Sequence, residues 1–332
     1  RQRLGYAAIA AGTGPTITGQ PGPPGRVVVR YDDGFGAADL VISAETAIIG
    51  TSISETLNGT SGNDIMLGLG GNDTLNASLG NDVLDGGSGN DTLLAGNNDG
   101  NDRLIGGTGT DLYSLAATSA AATVNLTTNT STSAATGSDT LEGVENVTGS
   151  QGGDTITDGA GANTLTGGAG ADTFIMTNDD ARDTINGAGG SNTVNYSANT
   201  TGLTVTLANG QVVNGSGTTA ATSDVISGIN NLTGGSGNDT ITGNNAGNTI
   251  LGGGGNDVIA GGGGVDVLMG QDGDDRILAS GGNDTINGGA GTDTYDLSAT
   301  TAAATVNLTA GTSSSSTTGV DSLVGIEGVI GS

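Results

Sequence analysis

Between Gly59 and Asp111 the chain repeats with a period of nine: GTSGNDIML, GLGGNDTLN, ASLGNDVLD and GGSGNDTLL, then an eleven-residue variant, AGNNDGNDRLI, and GGTGTDLYS. An Asp recurs in phase (Asp64, Asp73, Asp82, Asp91, Asp102, Asp111), and two residues after each comes an apolar or aromatic side chain (Met66, Leu75, Leu84, Leu93, Leu104, Tyr113). So short and strict a period indicates a solenoid. Glycines in the first four places admit backbone conformations closed to other residues, and Asn in the fifth tolerates a left-handed turn. Six residues therefore make a turn. The other three, such as Thr74, Leu75 and Asn76, alternate polar, apolar, polar, as a very short strand with one inward face requires. Stacked units bury the apolar residues in one ladder.

The phase of the acids carries the chemistry. If two nonapeptides complete one coil, residues eighteen apart lie above one another, so Asp64 meets Asp82 and Asp73 meets Asp91 at roughly 4.8 Å. Stacked carboxylates repel, and a hard cation between coils removes the repulsion. Ca²⁺ accepts oxygen ligands in flexible geometry, which paired Asp and turn carbonyls can supply, whereas Mg²⁺ demands a near-octahedral shell and keeps its waters.

GGSGNDTLL (Gly86 to Leu94) and GGNDTINGGAGTD (Gly281 to Asp293) resemble the GGxGxDxUx nonapeptide of the RTX proteins. The resemblance covers most of the chain from Gly50 onward. It implies an all-β, right-handed parallel β-roll or β-helix solenoid with two columns of Ca²⁺ along its edges. It also implies type I secretion from a bacterium and folding only once outside.

Composition agrees. The 332 residues include 66 Gly, 2% aromatics and no Cys, His or Trp, so a broad apolar core is not expected and metal must replace it. Thirty-four acids against seven bases, all Arg, give a net charge of −27, which disfavours nucleic acid and anionic membrane. About eight to twelve Ca²⁺ would bring in roughly +16 to +24. An apo chain that resists compaction and a holo chain that folds are expected. No apolar run approaches the ~20 residues that span a bilayer. The chain begins at Arg1, as expected of a fragment or processed form.

In order, residues 1–49 form a linker, a strand and either a cap or an assembly element: GQPGPPG (Gly19 to Gly25) as linker, RVVVRY (Arg26 to Tyr31) as strand, Asp32 to Gly34 as turn, with Arg1, Arg3, Arg26 and Arg30 making this end basic. Residues 50–114 are the first run, opened by a degenerate unit with Glu55 in the Asp place. Residues 115–151 are a spacer: ATVNL (Ala122 to Leu126) as strand, Thr127 to Ser138 as loose loop, and Asp139 to Ser150 as two short strands with Leu141, Val144 and Val147 inward. Residues 152–195 are a degenerate run that keeps Asp154, Asp172 and Asp183 but has Asn163 and Asn192 in the Asp place, so fewer or weaker metals are expected there. Residues 196–233 are a second spacer, and 234–296 the most regular run, with Asp239, Asn248, Asp257, Asp266, Asp275, Asp284 and Asp293 nine apart. The six Asp of this last run are expected to be the best metallated. Asp272 and Asp274 read as solvated turn acids, Glu145 and Glu327 as outward polar residues, and Phe174 and Tyr196 as filler. Residues 297–332 repeat the first spacer at an offset of 182 and leave an open coil end.

Without His, Cys or Lys the usual bases and nucleophiles are missing, and the Asp residues are accounted for by the metal lattice, so no enzyme is expected in these residues. The expected function is that of a calcium-dependent extracellular structural or adhesive protein of the bacterial surface, an S-layer subunit, matrix filament or adhesin stalk. It would associate with itself head to tail and offer cell-surface polysaccharide as a further partner. The alternative is the folding and export module of a larger secreted enzyme or toxin.

Overall fold

The computed structural model describes residues 27–31, 38–42, 46–179, 181–214 and 223–332. Each nonapeptide supplies one short strand, and successive strands alternate between two facing sheets of 15 and 17 strands. Leu57, Leu75, Leu93 and Tyr113 stand in one column, because Thr56–Asn58, Thr74–Asn76, Thr92–Leu94 and Leu112–Ser114 pair in parallel. Met66, Leu84 and Leu104 form the facing column, on Asp64–Leu67, Val83–Ser88 and Arg103–Thr108. The coil is therefore eighteen residues, or twenty across the eleven-residue unit. All of these inward side chains are buried, and they continue through Ile241, Ile259, Ile277 and Tyr295. The chain is an all-β parallel β-roll with no helix among the described residues.

The roll begins ahead of Gly50, since Thr46–Ile49 pairs in parallel with Asp64–Leu67. The strand expected at Arg26 to Tyr31 is present as Val27–Tyr31, paired antiparallel with Ala38–Ile42. The proline linker, Arg1, Arg3, Arg26 and the turn at Asp32 to Gly34 lie outside the described residues.

The spacers do not interrupt the roll. Ala122–Asn125, Thr130–Ser133 and Gly137–Glu142 form an antiparallel three-strand meander inside the 17-stranded sheet. The last of the three pairs in parallel with the preceding coil at Arg103–Thr108, and the first with the following coil at Thr155–Thr157. Two reversals cancel, so strand polarity is restored. The loose loop expected from Thr127 to Ser138 is thus wrong: half of it is strand, and the rest is the two turns of the meander. Its inward residue, Ser131, is fully buried and receives the Tyr113 hydroxyl at 3.2 Å, so no apolar alternation marks the strand.

The second spacer makes the same meander from Leu203–Thr206, Gln211–Asn214 and Asp224–Ser227, but in the 15-stranded sheet. The third, Ala304–Asn307, Thr312–Ser315 and Gly319–Val324, returns to the 17-stranded one. Six strands separate the first two spacers and eight the last two; both counts are even, so insertions alternate between sheets. Each insertion lengthens one sheet by two strands, about 10 Å, and the alternation offsets it.

Candidate metal centre

The backbone turn before each strand fixes the acids first as a structural ladder. Asp64 N–H donates to Asp82 Oδ1 at 2.7 Å, Asp82 N–H to Asp102 Oδ1 at 2.8 Å, and Asp73 and Asp91 N–H to Asp91 and Asp111 Oδ1, both at 2.7 Å. In the last run Asp239, Asp257 and Asp275 donate to Asp257, Asp275 and Asp293, all at 2.8 Å, while Asn248 and Asp266 donate to Asp266 and Asp284. Asp154, Asp172, Asp183 and Asp239 accept from Ala122, Asp154, Asn163 and Leu203. Among the expected site residues only the Asp64 carboxylate accepts no N–H from another coil here; it accepts from Thr60 of its own turn. One carboxylate oxygen is thus spent on holding coils together.

The second oxygen divides the turns into two kinds. Oδ2 of Asp73, Asp82, Asp91, Asp111, Asp172, Asp257, Asp266, Asp275 and Asp293 is buried without a hydrogen-bond partner. In every one of these turns the residue four before the Asp has a left-handed backbone: Leu69, Ser78, Gly87, Gly107, Gly168, Gly253, Gly262, Gln271 and Gly289. Asn98, four before Asp102, shares it. These ten turns are open. The corresponding residue of Asp64, Asp154 and Asp239 is not left-handed, and its N–H closes on the carboxylate: Thr60 at 2.6 Å, Ser150 at 2.6 Å and Gly235 at 2.9 Å from Oδ2. Asp284 Oδ2 is taken by the Ser280 hydroxyl at 3.0 Å.

Two glycines show why the turn needs them. A Cβ on Gly86 would lie 2.4 Å from Asp91 Oδ2, and one on Gly89, at φ +130°, would lie 1.8 Å from the Gly71 carbonyl oxygen. The first glycine leaves room for the carboxylate, the second for the stacking of turn on turn.

Burying anionic oxygens without partners is costly, and the acids register it. Burial pushes the carboxyls of Asp82, Asp111 and Asp266 up to about 6, those of Asp183 and Asp257 to about 7, and that of Asp102 to about 8. Backbone N–H donors oppose the shift, and neighbouring acids add to it: Asp139, Asp82 and Asp99 beside Asp102, and Asp224, Asp158 and Asp179 beside Asp183. Buried, anionic, hard oxygens repeated between coils fit Ca²⁺.

Other side chains complete the ladder without being evident in the repeat. Asp139, Asp224 and Asp321 accept the N–H of Asp102, Asp183 and Asp284 and the hydroxyls of Tyr113 (2.8 Å), Tyr196 (2.9 Å) and Tyr295 (2.6 Å). A Tyr followed by Asp 26 to 28 residues later in each spacer was the available signal. Tyr196 is therefore a hydrogen-bonding residue as well as filler, whereas Phe174 is filler alone. Glu145 and Glu327 are not idle outward residues: each stands in register with the Asp of the preceding coil and accepts its N–H at 2.8 Å, from Asp111 and Asp293. Asp274 is a rung too, accepting from Thr292 at 2.8 Å.

Fifth-place Asn residues are not left-handed, contrary to expectation. They form a second ladder of opposite sense, in which Asn63 and Asn72 Oδ1 accept the N–H of Asn81 and Asn90 at 2.8 and 3.0 Å. In the Asp place, Asn163 and Asn248 turn their Nδ2 to the carbonyls of Glu145 and Asn230, at 2.7 and 2.6 Å. A proton donor stands there in place of a cation.

A family model described as the RTX calcium-binding nonapeptide repeat (four copies) matches residues 49–84, 58–93, 80–113, 148–175, 226–259 and 260–295. The chain belongs to the RTX calcium-binding repeat family. The matches fall on the three RTX runs and leave most of each spacer, and the turn around Asp183, outside them. A search of curated proteins finds no match. The chain is a calcium-binding repeat protein whose RTX turns lie along both edges of the roll.

Proposed function

We propose that this chain is a calcium-dependent structural or adhesive segment of the bacterial exterior, of the S-layer, matrix-filament or adhesin-stalk kind, which folds as Ca²⁺ binds. The ion would be held by the ten open turns, at Asp73, Asp82, Asp91, Asp102, Asp111, Asp172, Asp257, Asp266, Asp275 and Asp293. The observation that carries this is the set of nine buried carboxylate oxygens without partners, each preceded by a left-handed residue. Ca²⁺ supplies the positive charge that lets these oxygens remain ionised; the chain supplies the turns that aim them and the ladder that spaces them.

Of the expected ligands, Asp64, Asp154, Asp239 and Asp284 have Oδ2 engaged by their own turns and are assigned to the ladder. The structural role rests on the meanders, which carry both sheets through every spacer with polarity kept. Ala122 N–H donates to Asp154 Oδ1 at 2.7 Å, and its counterpart Ala304, 182 residues on, can be continued by the same pairing. Further residues of the same polypeptide or a second copy would serve.

Circular dichroism during a Ca²⁺ titration tests the first part: disorder should turn to β-structure, and a folded spectrum in chelator overturns it. Light scattering of concentrated Ca²⁺-loaded protein tests self-association, and a persistent monomer removes the head-to-tail version. A catalytic domain in the same reading frame would favour an export module instead.

A further inference from the structure

The degenerate run contains an acidic group that the nonapeptide does not specify. Asp158 occupies a first place, where the repeat has Gly, in the same unit whose sixth place has changed from Asp to Asn163. One carboxylate oxygen each of Asp158, Asp179 and Asp183 lies within 4.8 Å of the others. Asp158 comes from the turn after Thr155–Thr157, Asp179 from the turn after Thr173–Ile175 and Asp183 from just before Thr184–Ala188, so the group joins one coil to the next.

Asp158 is fully buried. Its Oδ1 accepts the Thr177 N–H at 2.8 Å, and its Oδ2 has no partner. Asp179 is positioned by the N–H groups of Gly161 (2.8 Å) and Ala181 (3.0 Å), and Asp183 by that of Asn163 at 2.8 Å. Asp224 follows through its bond to Asp183 N–H, and the Tyr196 hydroxyl reaches Asp224 at 2.9 Å. The ion pairs of the described residues, Arg103 with Glu142 and Arg276 with Asp296, lie elsewhere.

We propose that Asp158, Asp179 and Asp183 form a divalent-cation site for Ca²⁺ distinct from the repeat turns, pinning successive coils of the degenerate run together. Three converging carboxylates, one of them fully buried with a free oxygen, need a compensating charge, and hard oxygens at this spacing suit Ca²⁺. The site restores, with residues from other places of the unit, a cross-link between coils where the ladder has Asn163 and Asn192.

The test uses the full chain. Bound Ca²⁺ is counted by equilibrium dialysis with elemental analysis for the wild type, Asp158→Asn, Asp179→Asn and, as a closed-turn control, Asp154→Asn. Terbium luminescence excited through tyrosine is recorded alongside, and Tyr196→Phe defines the Tyr196-dependent part. Asp158→Asn and Asp179→Asn should each lose about one ion per chain and the Tyr196-dependent emission, while Asp154→Asn keeps both. If either of the first two variants gives the wild-type dichroism spectrum in Ca²⁺ yet retains the full ion count and that emission, the site is refuted. Should Asp158→Asn not fold, Asp179→Asn alone decides. Failure of the wild type to respond to Ca²⁺ would instead refute the proposed function.

Discussion

The turns before Asp239 and Asp257 occupy the same place in the repeat, stack directly on one another and begin with the same two glycines, yet they differ. Gly253 is left-handed and leaves Asp257 Oδ2 without a partner; Gly235 is not, and its N–H closes on Asp239 Oδ2. The neighbour decides. The Asp257 turn lies between two RTX turns, whereas the Asp239 turn leans on the second spacer, with Ser236 N–H donating to the Asn199 carbonyl at 2.9 Å. Asp154 repeats the pattern, Gln151 N–H donating to the Thr118 carbonyl of the first spacer at 3.0 Å. A turn that follows a spacer, as these two do, has no RTX carboxylate on the preceding side to share a cation with, so it satisfies its own. Asp111 and Asp293, whose N–H groups donate forward to spacer glutamates, stay open.

The contrast can be broken most completely by chelation. Removing Ca²⁺ leaves the open turns with unpaired buried anions while the closed turns keep their partners, so the whole roll should lose its β-type dichroism, because the apo acids repel. Next in size is acid in the presence of chelator. The carboxyls of Asp82, Asp102, Asp111, Asp183, Asp257 and Asp266 titrate higher in the fold, at about 6 to 8, than when unfolded. The folded state therefore binds more protons between roughly pH 4 and 8. Apo stability is fully present below that window and is lost as pH rises through it, so dichroism in chelator should gain structure on acidification. Ca²⁺ binding runs the other way: its titration midpoint should move to higher concentration as pH falls, because protons compete for the same oxygens.

A sharper comparison substitutes single rungs. Asp257→Asn keeps an oxygen for the Asp239 N–H but loses the open anionic ligand, and should raise the Ca²⁺ midpoint about tenfold, or about 1.4 kcal/mol. Asp239→Asn should leave it within about twofold, or about 0.4 kcal/mol. Equal shifts in the two titrations would abolish the distinction between turn types. The smallest effect concerns non-glycine residues in open turns. Leu69, half-exposed at φ +73°, holds a left-handed conformation that disfavours side chains. Leu69→Gly should raise the thermal midpoint of the Ca²⁺-loaded protein, a gain of about 1 kcal/mol.

Much of this was legible in the sequence because each coil repeats the same local instructions. The eighteen-residue coil follows from one Asp and one apolar residue per nine, and the columns at Leu75 and Ile259 lie where that phase put them. Thr130–Ser133 was illegible because Ser131 is buried by a hydrogen bond to Tyr113, not by an apolar side chain. Asp139, Asp224 and Asp321 were illegible because they reach the ladder from spacers, 37 to 41 residues from the N–H they accept. Glu145 and Glu327 read as outward polar residues because no nonapeptide surrounds them, although the parallel pairing sets them in register with Asp111 and Asp293.

The sequence by itself determined the strand, the turn, the inward column and the acid that recurs with them, since these depend only on residue type and period. Tertiary structure decided which sheet each spacer joins, which turns close on themselves and which stay open, because those outcomes depend on what is stacked above and below a turn. The same glycine-opened turn meets different hydrogen-bond partners when it follows another RTX turn and when it follows a spacer, and that difference decides whether a carboxylate oxygen is left for calcium.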